Sequence, residues 1–239
     1  MSKNASLNHS IWALVPAAGI GTRMQSDIPK QYLPLNGRPV IEHTINALLA
    51  NEHISGLVIA LNANDEYWQT ININSNKPVL AAVGGEERAD SVLSGLHLLA
   101  RHDAFNIDTD WVMVHDAVRP CLRQQDIDKL VDEVQSEAGG LLALPVRDTM
   151  KRQKEGSATV ASTVNRENLW HALTPQYFSA KVLQVALEAA LDKGLAVTDE
   201  SSALEMAGYA PTLVHGNEEN IKITHPDDLR LASLYLQSR

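Results

Sequence analysis

Cysteine is almost absent. One residue, Cys121, stands among 239, which excludes an internal disulfide framework and any multi-cysteine zinc site. Basic charge is also in deficit, with 20 Lys and Arg against 29 Asp and Glu, a formal net charge of −9. Binding a nucleic-acid duplex takes a surplus of basic residues to neutralise its phosphates, so the expected partners include no nucleic acid. A small polyanion needs only local positive charge and stays open. No apolar run approaches the roughly 18 residues of a spanning helix, so no membrane partner is expected either. The first ten residues, MSKNASLNHS, lack the apolar core of a signal peptide. They are expected to be a disordered tail (1–10) on a cytoplasmic protein, and the N-x-S sequons at Asn4 and Asn8 mean nothing without secretion.

What is present is a pattern of short apolar runs alternating with helical periodicities. Ile11–Val15, Leu57–Leu61, Val79–Val83, Trp111–Val114 and Leu141–Val146 are strand-length and free of charge. Between them, Ile41, Ile45, Leu48 and Leu49 form a helical stripe behind Pro39, which sits where a first helical position is expected. Further helical faces run over Ala89–Ala100 and through Ile127, Leu130, Val131 and Val134. Helices at Ala180–Leu191, near Glu200–Met206 and from Pro226, a strand at Pro211–Val214 and an apolar run at Ile221–Ile223 complete the chain. Charge-free strands alternating with helices predict an α/β fold, a Rossmann-like, mostly parallel sheet with helices on both faces. The length suits one domain, residues 11–239. Arg147–Ala161 breaks the pattern, being polar, basic and aperiodic, and predicts an inserted arm at about 147–168.

The loop after the first strand carries the most chemistry. Ala17, Ala18, Gly19 and Gly21 let backbone N–H groups approach a phosphate, and Arg23 and Lys30 add two cations. A dinucleotide fingerprint fails because Met24 occupies the third glycine position. A P-loop fails because the chain has no Gly-Lys pair. A Gly-rich turn with surface charges and a nucleotide-triphosphate loop clamped by Arg23 and Lys30 remain.

The stretch PAAGIGTRMQSDIPKQYL resembles the signature loop of sugar-phosphate nucleotidyltransferases. Its P-A-A-G start and P-K-Q-Y close are most similar to the 2-C-methyl-D-erythritol 4-phosphate cytidylyltransferase family. Six strings match in order from about residue 11 to 236. Read locally, Gly84-Gly85-Glu86-Glu87-Arg88-Ala89-Asp90-Ser91 is a turn with acidic residues at a helix start. The resemblance places Gly85 and Ser91 against cytosine and Pro16, Ala17, Ala18 and Gly19 around the nucleotide. Asp116, at a strand end, suits a Mg²⁺ ligand or a substrate-hydroxyl acceptor. Within His115-Asp116-Ala117-Val118-Arg119-Pro120 the resemblance puts Ala117 by the ribose and Arg119 at the acceptor. His115 reads as packed or turn-bonded, and Cys121 as structural or incidental.

On its own the arm is a solvated, charged loop, though Leu169 and Trp170 at its border suggest docking onto another surface. The resemblance implies a homodimer clasped by the arm, with Arg166 entering the partner's active site. It also implies acceptor-binding positions at Thr149, Thr174 and Thr198. Lys222, expected inside a short apolar strand, is a snorkelling lysine by the local reading and a phosphate ligand by the resemblance.

The implied activity is transfer of CMP from CTP to 2-C-methyl-D-erythritol 4-phosphate, releasing pyrophosphate, on the non-mevalonate route to isoprenoids. An ionised phosphate nucleophile needs no strong base, so catalysis rests on positioning and charge neutralisation. Arg23 and Lys30 are the implied catalytic pair. Mg²⁺, or another divalent cation, would bridge the triphosphate with Asp116 as its protein ligand. A cytidylyltransferase for another polyol phosphate, such as ribitol 5-phosphate, and a non-catalytic nucleotide-binding regulator are the rival expectations.

Overall fold

Charge-free runs become the strands of one central sheet in the computed structural model, which describes residues 9–19 and 28–239. Strand β1 spans Ile11–Pro16. After a 3-10 turn at Lys30–Tyr32, the short strands β2 (Pro34–Leu35) and β3 (Arg38–Pro39) pair around Asn36 and Gly37. Both turn residues have positive φ, 49° and 82°. Helix α1 (Val40–Leu49), β4 (Ile54–Leu61), β5 (Val79–Val83), α2 (Arg88–Leu99), β6 (Trp111–Val114), α3 (Gln124–Glu133) and β7 (Gly140–Pro145) follow. Then come β8 (Met150–Gln153), β9 (Val160–Val164), β10 (Trp170–Ser179), α4 (Ala180–Asp192), α5 (Glu200–Met206), β11 (Thr212–His215) and α6 (Pro226–Gln237).

The seven-stranded sheet has the order β11-β7-β10-β6-β1-β4-β5. β10 runs antiparallel to both neighbours, and the other pairings are parallel. Side chains alternate across the sheet as strand geometry requires. Ile11, Ala13 and Val15 pack beneath Ile41, Ile45 and Leu48 of α1 and Ile127, Leu130 and Val131 of α3. Trp12 and Leu14 face the other way, against Val92, Leu96 and Leu99 of α2 and Leu183 and Leu187 of α4. Both faces are therefore covered, and that is why these strands tolerate no charge.

The chain leaves β1 toward β4 and β5, then returns through α2 to lay β6 on the other side of β1. Loops after β1 and β6 thus diverge at a topological switch point, the usual location of ligand clefts in open α/β sheets.

Some sequence expectations are corrected. The Ile221–Ile223 run forms no strand, so Lys222 lies in extended chain without a ladder. A backbone bond from Ile223 N–H to the Val118 carbonyl (2.9 Å) ties this segment down, and Ile223 is buried with Val118, Cys121 and Ala232. Pro39 caps α1 from outside its first turn, which begins at Val40. Strand β10 was not anticipated. Pairing with β7 breaks between Ala172 and Gln176, around Pro175, which has no N–H to give a ladder. The polar 147–168 segment contains an antiparallel hairpin, β8 with β9, whose residues are almost all exposed. Residues 1–8 of the expected tail lie outside the described residues.

Candidate active site

Three strand ends supply most of the cleft. The loop after β1 brings Pro16, Ala17, Ala18 and Gly19, while the turn after β5 brings Gly85, Glu86, Glu87, Arg88 and Ser91. Asp116, Ala117 and Val118 follow β6, and Lys30, Gln31 and Lys222 close the remaining sides. The cavity between these walls is about 170 Å³ and opens to solvent.

The two glycines between β5 and α2 permit a close approach of backbone segments. A Cβ on Gly84 would lie 2.5 Å from the Ala18 Cβ and 2.8 Å from Ser91 Oγ. One on Gly85 would lie 2.2 Å from the Asp90 Cβ. Gly85 N–H donates to Ser91 Oγ (3.1 Å), and the Ser91 hydroxyl donates to the Glu87 carbonyl (3.3 Å). Asp90 Oδ2 accepts from Glu87 N–H (3.0 Å), capping α2. These short-range bonds shape the turn beside the β1 loop without large side chains, leaving backbone to face a ligand.

A second cleft adjoins the first, lined by Arg119, Thr174, Gln176, Thr198 and Asp199, and shares Arg88, Asp116 and Lys222 with it. Asp116 is the hub of this common wall. Its Oδ1 meets Arg88 Nε at 3.2 Å, and its Oδ2 meets Arg119 Nε at 3.2 Å and Lys222 Nζ at 3.0 Å. Burial alone would raise the Asp116 pKa, but Arg88, Lys222 and Arg119 together hold it far below the ordinary carboxylate range. Arg88 Nη1 also binds Glu200 Oε1. Glu200 is 1% exposed, and its burial outweighs Arg88 and raises its pKa. Arg119 Nη1 donates to the Asn220 carbonyl (2.7 Å), and Asn220 Nδ2 donates to the Thr174 carbonyl (2.7 Å). Three cations, Arg88, Arg119 and Lys222, thus gather around the buried carboxylates of Asp116 and Glu200.

His115 is buried, with its pKa lowered to about 4 chiefly by desolvation. Its Nε2 lies 3.2 Å from the Arg119 carbonyl, which only accepts, so Nε2 carries the proton. Nδ1, 3.0 Å from Thr174 Oγ1, then accepts from that hydroxyl, and Thr174 Oγ1 accepts from Asp116 N–H (3.1 Å). With both ring nitrogens engaged, His115 is a strut beneath the site. Cys121 is fully buried, and desolvation pushes its thiol up to about 11, the condition of an unreactive thiol.

The structure brings together Pro16, Ala17, Ala18, Gly19, Lys30, Gly85, Ser91, Asp116, Ala117 and Lys222 in one cleft, and Arg119, Thr174 and Thr198 in the adjoining one. Thr149 and Arg166 are exposed beside the hairpin and line neither cleft of this chain. Arg23, with Gly21 and Met24, lies outside the described residues. Sequence reasoning gave no role to Arg88, Gln31 or Glu200. The signal for the first was the Arg inside the Gly-Gly string, directly at a helix start.

No group of three or more His, Cys, Asp and Glu that could hold a metal occurs among the described residues. Asp116 sits among three side-chain cations, where a bare divalent ion would be repelled. A triphosphate brings the negative charge that makes such an ion tolerable, and Mg²⁺ bound largely by phosphate oxygens asks for only one or two carboxylates. The residues present therefore fit a divalent cation that arrives with the nucleotide.

No helix among the described residues is long and apolar enough to cross a membrane. A family model described as 2-C-methyl-D-erythritol 4-phosphate cytidylyltransferase matches residues 11–238. A protein of that name from Aliivibrio fischeri (strain MJ11) is 52% identical over 229 residues, covering 95% of this chain and 94% of its own. Another from Serratia proteamaculans is 47% identical over 237 residues, covering 96% and 98%. Among solved structures, the Francisella tularensis 2-C-methyl-D-erythritol 4-phosphate cytidylyltransferase superposes with a TM-score of 0.80 at 35% identity, over 95% of this chain and 99% of that one. With the match spanning nearly every residue from β1 to α6, the chain belongs to the 2-C-methyl-D-erythritol 4-phosphate cytidylyltransferase family.

Proposed function

We propose that this protein transfers CMP from CTP to 2-C-methyl-D-erythritol 4-phosphate, giving 4-diphosphocytidyl-2-C-methyl-D-erythritol and pyrophosphate, in the non-mevalonate isoprenoid pathway. The observation that carries this reading is the shared wall of Arg88, Asp116 and Lys222. It stands between a backbone-lined cleft suited to a nucleotide and a second cleft carrying Arg119, Thr174 and Thr198. Two phosphate-bearing substrates held on either side of such a wall meet at it.

In the reaction an oxygen of the acceptor's 4-phosphate attacks the α-phosphorus of CTP. The bond from that phosphorus to the pyrophosphate oxygen breaks, and pyrophosphate leaves with the electron pair. The nucleophile is already ionised at neutral pH, so no side chain has to remove a proton, in keeping with the neutral, fully engaged His115. Lys30 and Arg23 stabilise charge on the α-phosphate and leaving group. Lys222 and Arg119 hold the acceptor phosphate, and Asp116 keeps both cations in place between turnovers. Asp116, together with the triphosphate oxygens, would hold a divalent cation such as Mg²⁺, which would supply further charge neutralisation.

The arm completes the assembly. Met150, Val160, Leu169 and Trp170 are exposed apolar residues on or beside the hairpin, a surface suited to a second copy of this chain. In the homodimer Arg166, with Thr149 near it, would serve the partner's acceptor cleft. A cytoplasmic location belongs to the same reading.

The test is a substrate panel with CTP and Mg²⁺, scored by pyrophosphate release and by phosphorus NMR of the product. Turnover with 2-C-methyl-D-erythritol 4-phosphate well above that with ribitol 5-phosphate is expected. The reverse preference would make the protein a different polyol-phosphate cytidylyltransferase. Nucleotide binding without turnover of either would make it a regulator.

A further inference from the structure

The β1 loop departs from the sheet at Ala17, whose N–H still reaches the Ala60 carbonyl at 2.8 Å. Beyond that point Ala18 packs against Gly84, and a Cβ on Gly19 would find no atom of the described residues within 4 Å. Among the described residues, the Gln31 side chain binds this backbone directly. Gln31 Nε2 donates to the Ala17 carbonyl at 2.9 Å and to the Gly19 carbonyl at 3.2 Å. A primary amide has two hydrogens on that nitrogen, and Gln31 gives both to the loop. A trans peptide keeps its N–H opposite its C=O, so pinning the Ala17 carbonyl also fixes the direction of the Ala18 N–H.

Gln31 itself stands on firm ground. It is 3% exposed, at the centre of the Lys30–Tyr32 turn. The neighbouring Tyr32 stacks on Tyr67 with ring centroids 5.0 Å apart and donates its hydroxyl to Asp65 Oδ2 at 2.8 Å. Asp65 Oδ1 in turn accepts from the N–H groups of Tyr67 and Trp68. The turn that carries Lys30 is thereby tied to the segment after β4, and Gln31 joins it to the nucleotide loop.

We propose that Gln31 is a positioning residue for the nucleotide, its amide fixing the Ala17–Gly19 backbone in the conformation that receives CTP. The inference rests on CTP occupying this cleft. Gln31 acts through the loop and touches no reacting atom.

Two substitutions of similar length test it. Gln31→Met removes both donors, and Gln31→Glu replaces them with an acceptor facing two carbonyl oxygens. CTP affinity, measured by calorimetry on the full chain, should fall about tenfold in Gln31→Met, the scale of two lost hydrogen bonds, and further in Gln31→Glu. KM for CTP should rise in parallel while KM for the acceptor stays within about twofold, and thermal denaturation should confirm that both variants are folded. A merely structural glutamine would lower the melting temperature and leave the ratio of the two KM values unchanged, which would overturn the proposal. Ser91→Ala, on the opposite wall, separates this from the reading beneath it. If Ser91→Ala weakens CTP and both Gln31 variants bind normally, the Gln31 proposal fails and the cleft stands. If neither position affects CTP, both fall.

Discussion

Lys222 Nζ lies 3.0 Å from Asp116 Oδ2, joining the extended chain before α6 to the end of β6. The lysine side chain is 37% exposed and the aspartate 6%. The pair therefore presents its cation to the cleft and buries its anion. An incoming phosphate can share Lys222 with Asp116 without first dragging a charge out of the core. Lys222→Met should lower kcat/KM for the acceptor by about 10- to 100-fold, the scale of one charge-assisted hydrogen bond. KM for CTP should change by less than about twofold. A selective rise in the CTP KM would move Lys222 to the nucleotide's side of the wall.

Lys30 lines the nucleotide cleft, and Arg23 is its expected companion. Lys30→Ala and Arg23→Ala should each lower kcat by about 10²–10³, the cost of removing a strong transition-state donor. Steady-state pyrophosphate release measures this directly, and near-normal turnover in both would remove them from the chemistry.

Arg166 is exposed beside the hairpin and lines neither cleft of its own chain. If it serves the partner, an inactive Arg166→Ala subunit mixed with an inactive Lys30→Ala subunit should regain activity at one site of the heterodimer. Ultracentrifugation of the wild type should show a dimer. Mixtures as inactive as their parents would place Arg166 outside any shared site.

Acid should unfold the protein in two stages. His115 has its pKa lowered from 6.5 to about 4, so between those values the unfolded chain binds the proton more readily and stability falls as pH drops. The loss levels off below about pH 4, at most on the order of 3 kcal/mol. Asp116, with its pKa depressed below the ordinary 3.8, keeps its contribution above that value and loses it on further acidification. Urea midpoints for wild type and His115→Gln should diverge in slope between pH 6.5 and 4. Parallel slopes would assign the first stage to another group.

The strands β1, β4 and β6 were legible because burial on both faces leaves an unbroken apolar run, while β5, at the sheet edge with Ala81 and Val83 exposed, was legible from its apolar composition alone. The loops at their ends were legible for a related reason: small residues and isolated cations in an acidic chain mark places where backbone must approach an anion. β10 was hidden because its sequence, WHALTPQYFS, mixes polar residues and a proline that interrupts the ladder. The apolar residues flanking Lys222 imitated a strand, although they serve the small cluster around Cys121 and Ala232. Least legible were the contacts of Arg88 with Asp116 and Glu200. These depend on bringing together the ends of three separate elements, and no local spacing encodes that.

The reversed strand β10 has a mechanical consequence. One end, Trp170, adjoins the exposed hairpin, and its middle carries Thr174, which accepts the Asp116 N–H. Its far end, Ser179, runs directly into α4. Past the short 165–169 turn that joins hairpin to strand, a load applied at the arm travels toward the Asp116 hub along a single rib of the sheet.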